Sequence, residues 1–361
     1  MATTGTPWTR SAAARLAQRL GAWLCVAAVA WLPLCAAGAP VLRVLSWPGY
    51  ADADVVAAFE KRHAVRVEIT TVGSDDSLRA KLADPAGPGY DVVAANTVEI
   101  ASLVAQKRLI PLPMKDIANA GRQLPRFRQL ASIPGITSEG AVYALPYTYS
   151  EMGLIYDRRQ FSVPPDSLNV LWDPRWQGRV LVFHGSSHNF SLAAQHRGLA
   201  PFRIDAARFG GLARDLVALR RNVLSFYSVP EESVELFRRH RIAVMHANYG
   251  QQQLKLLRDA GLDVGYVIPQ EGALAWLDCW AITRRSAQPA LAARWIDYML
   301  EPAVSGVLTR RQGLANTLQE PPGGAAGAAA SPMVWLEPVE NEEQRTRLWR
   351  RIVSGERPEG F

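Results

Sequence analysis

The sequence predicts an α/β fold in two lobes, each a β-sheet flanked by helices and joined to the other by a hinge. Three observations lead there. The chain has 361 residues, more than a single hydrophobic core usually serves. From Val41 the pattern runs β, α, β, α, β, the alternation of a parallel sheet, whose ligands sit beyond the carboxyl ends of the strands. A second such cluster follows, and an apolar strand, Gly272 to Ile282, arrives after it. If that strand returns to the first sheet, the chain crosses between lobes more than once, and two or three crossings make a hinge that can close on a ligand.

Residues 1–39 read as a secretory signal: Arg10, Arg15 and Arg19, then an apolar run from Leu20 to Leu34, then Ala37-Gly38-Ala39 as a small-x-small cleavage site. The run is short for a membrane span; an uncleaved anchor is the alternative, and bulky Leu34 before Cys35 does not suit a lipoprotein site. Removal takes Cys25 and Cys35 and leaves Cys279 alone, so no internal disulfide forms and stability must come from core burial. The formal charge of +7 is spread rather than clustered in sequence, which argues against nucleic acid as a partner.

Val41 to Trp47 is apolar enough for a buried strand, and Pro48-Gly49 turns the chain. Asp52 to His63 is expected as a helix with Val55, Val56 and Phe59 on one side. Val65 to Thr71 alternates as a strand, Ser74-Asp75-Asp76 caps a helix through Leu82, and Asp91 to Ala95 is another strand. Asn96-Thr97 then caps a helix over Val98 to Leu109. Pro111 to Gly140 has no sustained period. Ala141 to Tyr156 reads as extended chain, with Pro146 limiting it to an edge or crossing strand. Leu171 to Gly178 is a loop leading into a strand, Val180 to Phe183. Helical patterns recur at Asn189 to Gly198, Ala206 to Val223, Val234 to His240 and Pro289 to Leu300, with a strand at Ile242 to His246. Gly323 to Ala330 reads as a flexible link, and Val334 to Val353 as charged helix.

The strand G-A-L-A-W-L-D-C-W-A-I at 272–282 carries the sharpest chemistry. Alternation turns Trp276, Asp278 and Trp280 to one face and Leu277, Cys279 and Ala281 to the core. A carboxylate between two indoles suits a cation, each ring face adding about 0.5–2 kcal/mol. A buried Asp bonded to a neighbouring loop, with the Trp rings as packing, is the competing reading. Either way the carboxylate needs a partner.

Taken in order, L-R-V-L-S-W-P-G-Y at 42–50, S-D-D-S-L-R-A-K-L at 74–82, Y-D-V-V-A-A-N-T at 90–97, Y-A-L-P-Y-T-Y at 143–149, W-D-P-R-W-Q-G-R-V-L-V at 172–182 and A-W-L-D-C-W-A-I at 275–282 resemble the periplasmic spermidine/putrescine-binding proteins of polyamine ABC transporters. The resemblance covers nearly all of the mature chain. It implies a type II-like periplasmic-binding-protein fold, with lobe 1 at 40–145 plus 275–318 and lobe 2 at 146–274 plus 319–361. It implies a periplasmic, monomeric protein without a cofactor that closes on a small organic cation, putrescine- or spermidine-like, and delivers it to a permease. Contact with the membrane would come only through that permease. Trp47, Tyr50, Tyr149, Trp276 and Asp278 fall on the family's ligand-binding positions, and Asn96 and His246 stand where the family has other site residues.

This chain also departs from that pattern. Where the family offers acids after the strand at 180–183, it has His184-Gly185-Ser186-Ser187-His188. Glu151, Glu99 and Asp76 are candidate substitutes, and an amino-acid-like or betaine-like solute would suit such a box equally well. A ligand-sensing module read by a signalling partner uses the same closure. His184 and His188 have zinc spacing, but Gly185 and two serines argue for a loop and no third ligand is evident. No G-x-S-x-G elbow supports a hydrolase. Arg214, Arg220 and Arg221 read as a solvated helix face, Tyr249 as turn chemistry and Cys279 as an inert core thiol.

Overall fold

In the first sheet Val41–Ser46 (β1) runs parallel to Arg66–Thr71 (β2) on one side and to Val92–Asn96 (β3) on the other. The computed structural model describes residues 1–3, 39–73, 75–320 and 333–361, and the side chain of Asp76 is not among what is described. The expected signal segment with Cys25 and Cys35, Ser74 and the Gly323–Ala330 link therefore lie outside the described residues.

The helices between these strands follow from their ends. Ala53–His63 (α1) has Asp54 in its first turn and Lys61, Arg62 and His63 in its last, each sign matching the helix dipole. It buries Val55 and Phe59 and stops at Ala64 in the left-handed conformation. Asp75–Ala83 (α2) follows β2. Thr97–Ala105 (α3) is capped by Asn96, whose side chain accepts from the Glu99 N–H. It ends four residues before the expected Leu109, because Lys107 turns left-handed (φ 56°) and breaks the ladder.

The aperiodic stretch after it holds short turns, the single turn Pro125–Arg128 (α4) and a small hairpin, Thr137–Ser138 (β4) and Ala141–Val142 (β5). Ala144–Met152 (β6) joins the first sheet, and after one residue, Gly153, Leu154–Asp157 (β7) begins the second. That second sheet adds Val180–Phe183 (β8), Val223–Tyr227 (β9), Val244–His246 (β10) and Val264–Val267 (β11) in the order β11-β7-β10-β8-β9. Its helices are Ser186–His196 (α5), Phe209–Asn222 (α6), Pro230–Arg239 (α7) and Gly250–Asp259 (α8).

Ala273–Ile282 (β12) returns to the first sheet, where it is buried along its whole length between β3 and β6. Pro289–Met299 (α9) and Pro302–Gln312 (α10) cover that lobe. Ala315–Asn316 (β13) edges the sheet, giving the order β13-β6-β12-β3-β1-β2, and Met333–Trp335 (β14) pairs parallel with β12. Glu342–Val353 (α11) buries Leu348, Trp349 and Ile352 among the core residues of the second lobe.

Several expectations need correction. Met333–Trp335 is a strand and not the start of a charged helix; it carries no charge and extends the edge of β12. It belongs with the first sheet, as does all of β6, so the expected break at 145/146 falls inside a strand. Pro146 lies within β6, where the pairing shifts register by one residue. The helix after β8 begins at Ser186, so His188 lies in its first turn and not in a loop. Arg214 and Arg220 are not merely a solvated face: they donate to the main-chain carbonyls of Phe361, Ile352 and Glu356 and hold the C-terminal segment.

Candidate ligand site

The turn after β1 presents two aromatic residues. Tyr50 N donates to Trp47 O, and Gly49 sits at φ 79° in the third position of Trp47-Pro48-Gly49-Tyr50. That is the geometry of a type II turn, with proline second and glycine third. A Cβ on Gly49 would also meet the Gln312 side chain at 2.5 Å.

Tyr50 is 6% exposed, and its hydroxyl donates a 2.6 Å hydrogen bond to Asp278 Oδ2. Asp278 is also 6% exposed; among the described residues no basic side chain pairs with it and Tyr50 is its one hydrogen-bond partner. Burial therefore pushes its pKa up to about 7, with the Tyr50 bond opposing and the negative charge of Asp75 reinforcing the rise. Burial likewise raises the Tyr50 hydroxyl well above its ordinary range, and the Asp278 charge adds to it.

Asn96 faces Asp278 directly across the β3–β12 ladder. Both ends of its amide are in use: Oδ1 caps α3, and Nδ2 donates to Asp75 Oδ1 at 3.0 Å. It holds Asp75 near the carboxylate of Asp278. Trp276, on the same face as Asp278, donates from Nε1 to Asn248 O at 2.9 Å and so ties the first sheet to the segment after β10 of the second. Ser150 pairs with Trp276 across the β6–β12 ladder, and its buried Oγ has no partner among the described residues; the same holds for Asn248 Oδ1, His246 Nε2 and Trp47 Nε1. Ser150 and Asn248 both adjoin Trp276, one across the β6–β12 ladder and the other through its carbonyl, so two of these open groups lie next to the strand that carries Asp278.

In the second lobe, the strand that ends two residues before Asn248 carries a further candidate. His246 is 4% exposed, and burial with neighbouring His188 pushes its pKa down to about 4. Burial and then the Arg345 charge hold His188 near 4 as well. Both imidazoles are neutral at physiological pH. Phe183 contacts the rings of both His188 and Tyr249 edge-on, and Tyr249 OH donates to Ser228 O.

Of the expected residues, the fold brings Tyr50, Asn96, Trp276 and Asp278 to neighbouring positions of the first lobe, with Trp47 on the Tyr50 turn, and places His246 in the second lobe. Tyr149 does not join them. It pairs with Leu277, on the reverse face of the sheet, where it packs on Phe127 and Trp335 and accepts from Arg126. In its place a bulge between Asp278 and Cys279 turns Tyr147 forward. The Tyr147 ring lies 5.6 Å from Tyr50, edge-on, and its hydroxyl donates to Tyr50 O.

Trp280, expected as the second indole, is fully buried against Tyr147 and Trp295 and belongs to the core. The suggested substitute acids do not serve either. Glu99 pairs with Arg79, and Glu151 lies on the Tyr149 face near Arg126 and Glu320; the Asp76 side chain lies outside the described residues. Sequence reasoning missed Asp75, Tyr147, Ser150 and Asn248. Two of them had a signal: Asp75 follows the carboxyl end of β2, where a parallel sheet places its ligands, and Ser150 has a period-two relation to Thr148 and Met152 on one strand. Cys279 is buried in the core as expected, and burial raises its thiol well above the usual range.

Residues 54–314 match the family described as bacterial extracellular solute-binding protein. The putrescine/cadaverine-binding protein of Pseudomonas aeruginosa is 23% identical over 311 residues, 83% of each chain. The putrescine-binding periplasmic protein PotF of Escherichia coli is 23% identical over 357 residues, 89% of this chain and 93% of its own. Among solved structures, the spermidine/putrescine ABC transporter substrate-binding protein PotD from Streptococcus pneumoniae, in complex with calcium and HEPES, gives a TM-score of 0.73 at 18% identity. That match covers 88% of this chain and 99% of the other. The α/β, two-lobed periplasmic-binding-protein architecture expected from the sequence is the fold. With a match that spans most of its 361 residues, this protein belongs to the bacterial extracellular solute-binding protein family.

Proposed function

We propose that this protein captures a small organic cation, polyamine-like, in the periplasm and hands it to the permease of an ABC transporter. Asp278 carries the reading. It is a buried carboxylate with no cationic partner among the described residues, bonded to Tyr50, whose ring meets that of Tyr147, and on the strand face it shares with Trp276. An ammonium group would supply the missing countercharge, and each ring face would add about 0.5–2 kcal/mol. Trp47, on the Tyr50 turn, would cover the alkyl part. The names of the two polyamine-binding relatives point the same way.

Closure would be driven only by the ligand's higher affinity for the closed form. The Trp276–Asn248 bond is a contact that closure would make. We place the hinge where the chain leaves one sheet for the other: at Gly153, in the turn closed by Gly272 N and Pro269 O, and after Trp335. Gly153 is the single residue between β6 and β7, and the position requires glycine because a Cβ there would meet the Tyr266 ring at 2.6 Å.

A second reading, an amino-acid-like or betaine-like solute, is favoured by the wall of neutral His188 and His246, which offers no anion to a second ammonium group. Calorimetry with putrescine, spermidine, spermine, amino acids and betaines separates the two readings. Asp278→Ala is expected to abolish binding of every cationic ligand, and unchanged affinity in that variant would overturn the site.

A further inference from the structure

The end of strands β3 and β12 remote from Asp278 carries a second constellation. The five-residue step from Asp91 to Asn96 separates the two by about 16 Å. There Leu82, Leu103, Leu109 and Tyr90 form the floor of a surface pocket. Its rim is Lys81, Lys107, Arg108, Arg284 and Arg285.

None of these cations forms an ion pair among the described residues. The acids close by in sequence are committed to the backbone. Asp84 accepts from Ala86 N, and Asp91 from the N–H groups of Arg43, Ala287 and Gln288. The guanidinium groups are fixed by main-chain carbonyls: Arg108 on Leu82, Arg284 on Lys107, and Arg285 on Asp84 at 2.8 Å and on Pro85 and Gly87 at 3.3 Å.

Capping explains part of this. The Leu82 and Lys107 carbonyls lie at the carboxyl ends of α2 and α3, which together supply roughly one negative charge. The rim carries five positive charges. Lys81 and Lys107 are exposed and, among the described residues, make no hydrogen bond through their side chains. A surplus of this size, held rigidly over an apolar floor, repels itself unless something anionic enters.

We propose that this pocket binds a phosphate-type oxyanion. The anchored guanidinium groups provide preorganised donors, the two lysines supply mobile point charges, and the leucine and tyrosine floor accommodates the carbon portion of a phosphate ester.

The test uses the full chain, with ionic strength held constant by sodium chloride. Inorganic phosphate is titrated by calorimetry, and sedimentation with phosphatidylcholine vesicles is compared with and without phosphatidylglycerol. Saturable phosphate binding assigns a soluble source, and binding only to phosphatidylglycerol vesicles assigns a lipid headgroup; either supports the proposal. Lys81→Gln/Lys107→Gln is expected to weaken that binding about tenfold while leaving thermal stability unchanged. The proposal fails if neither probe binds, or if the double variant binds as the parent does. It also fails if only an acidic peptide such as polyglutamate binds, which would make this face a protein-docking surface.

Discussion

The hydroxyl of Tyr50 donates to the carboxylate of Asp278 at 2.6 Å, across 228 positions of sequence. The bond joins the turn after β1 to the middle of β12 and, among the described residues, is the contact that favours the ionised form of Asp278. Burial wins over it, and the carboxyl titrates near 7.

Affinity for a cation should therefore depend on pH around neutrality. The ionised carboxylate is the binding form, and an alkyl ammonium stays protonated throughout this range. Below pH 7 the affinity should rise about tenfold per unit, and it should level off above pH 8. Calorimetry from pH 5.5 to 8.5 checks this; a flat profile would remove Asp278 from the site.

Stability without ligand should move the other way. The folded pKa, about 7, lies above the unfolded value, so the protonated group stabilises the fold fully below pH ~4, and that contribution is lost as pH rises to ~7. Asp278→Asn should abolish this dependence and be more stable than the parent at pH 8 by about 1–4 kcal/mol. Urea unfolding at pH 5 and pH 8 measures the difference.

Tyr50→Phe removes the hydroxyl and keeps the ring. Losing the bond should raise the Asp278 pKa further, shift the midpoint of the pH–affinity profile upward by about one unit and cost about fivefold in affinity at pH 7. The pH titration of the variant separates this from a simple loss of ring contact.

Tyr149→Phe provides the contrast. Tyr149 faces away from Asp278 and loses only its bond from Arg126, so ligand affinity should stay within about twofold while stability falls by about 1 kcal/mol. A large loss of affinity would show that the reverse face of the sheet takes part in binding.

Arg345 is fully buried and donates to Glu340, to Ser191 Oγ and to the carbonyls of Ser187 and Pro201. It fastens α11 to the helix that bears His188. Arg345→Met leaves Glu340 without its cation and should destabilise by about 3–5 kcal/mol in urea unfolding.

Much of this protein was legible in the sequence because its signals are local. The β-α alternation from Val41, the Asn96 cap, the Trp-Pro-Gly-Tyr turn and the buried strand around Asp278 each depend on residues a few positions apart. The core face of that strand, Leu277, Cys279 and Ala281, follows from period-two alternation and is as expected. Tertiary structure decided what depends on neighbouring strands. One extra residue in β6 sent Tyr147 rather than Tyr149 to the site, because a bulge reverses the face of what precedes it. Trp280 fell into the core because α9 covers it with Trp295. Ser150 and Asn248 acquired their places only when two sheets met, since alternation assigns a side chain to a face but not the partner opposite it.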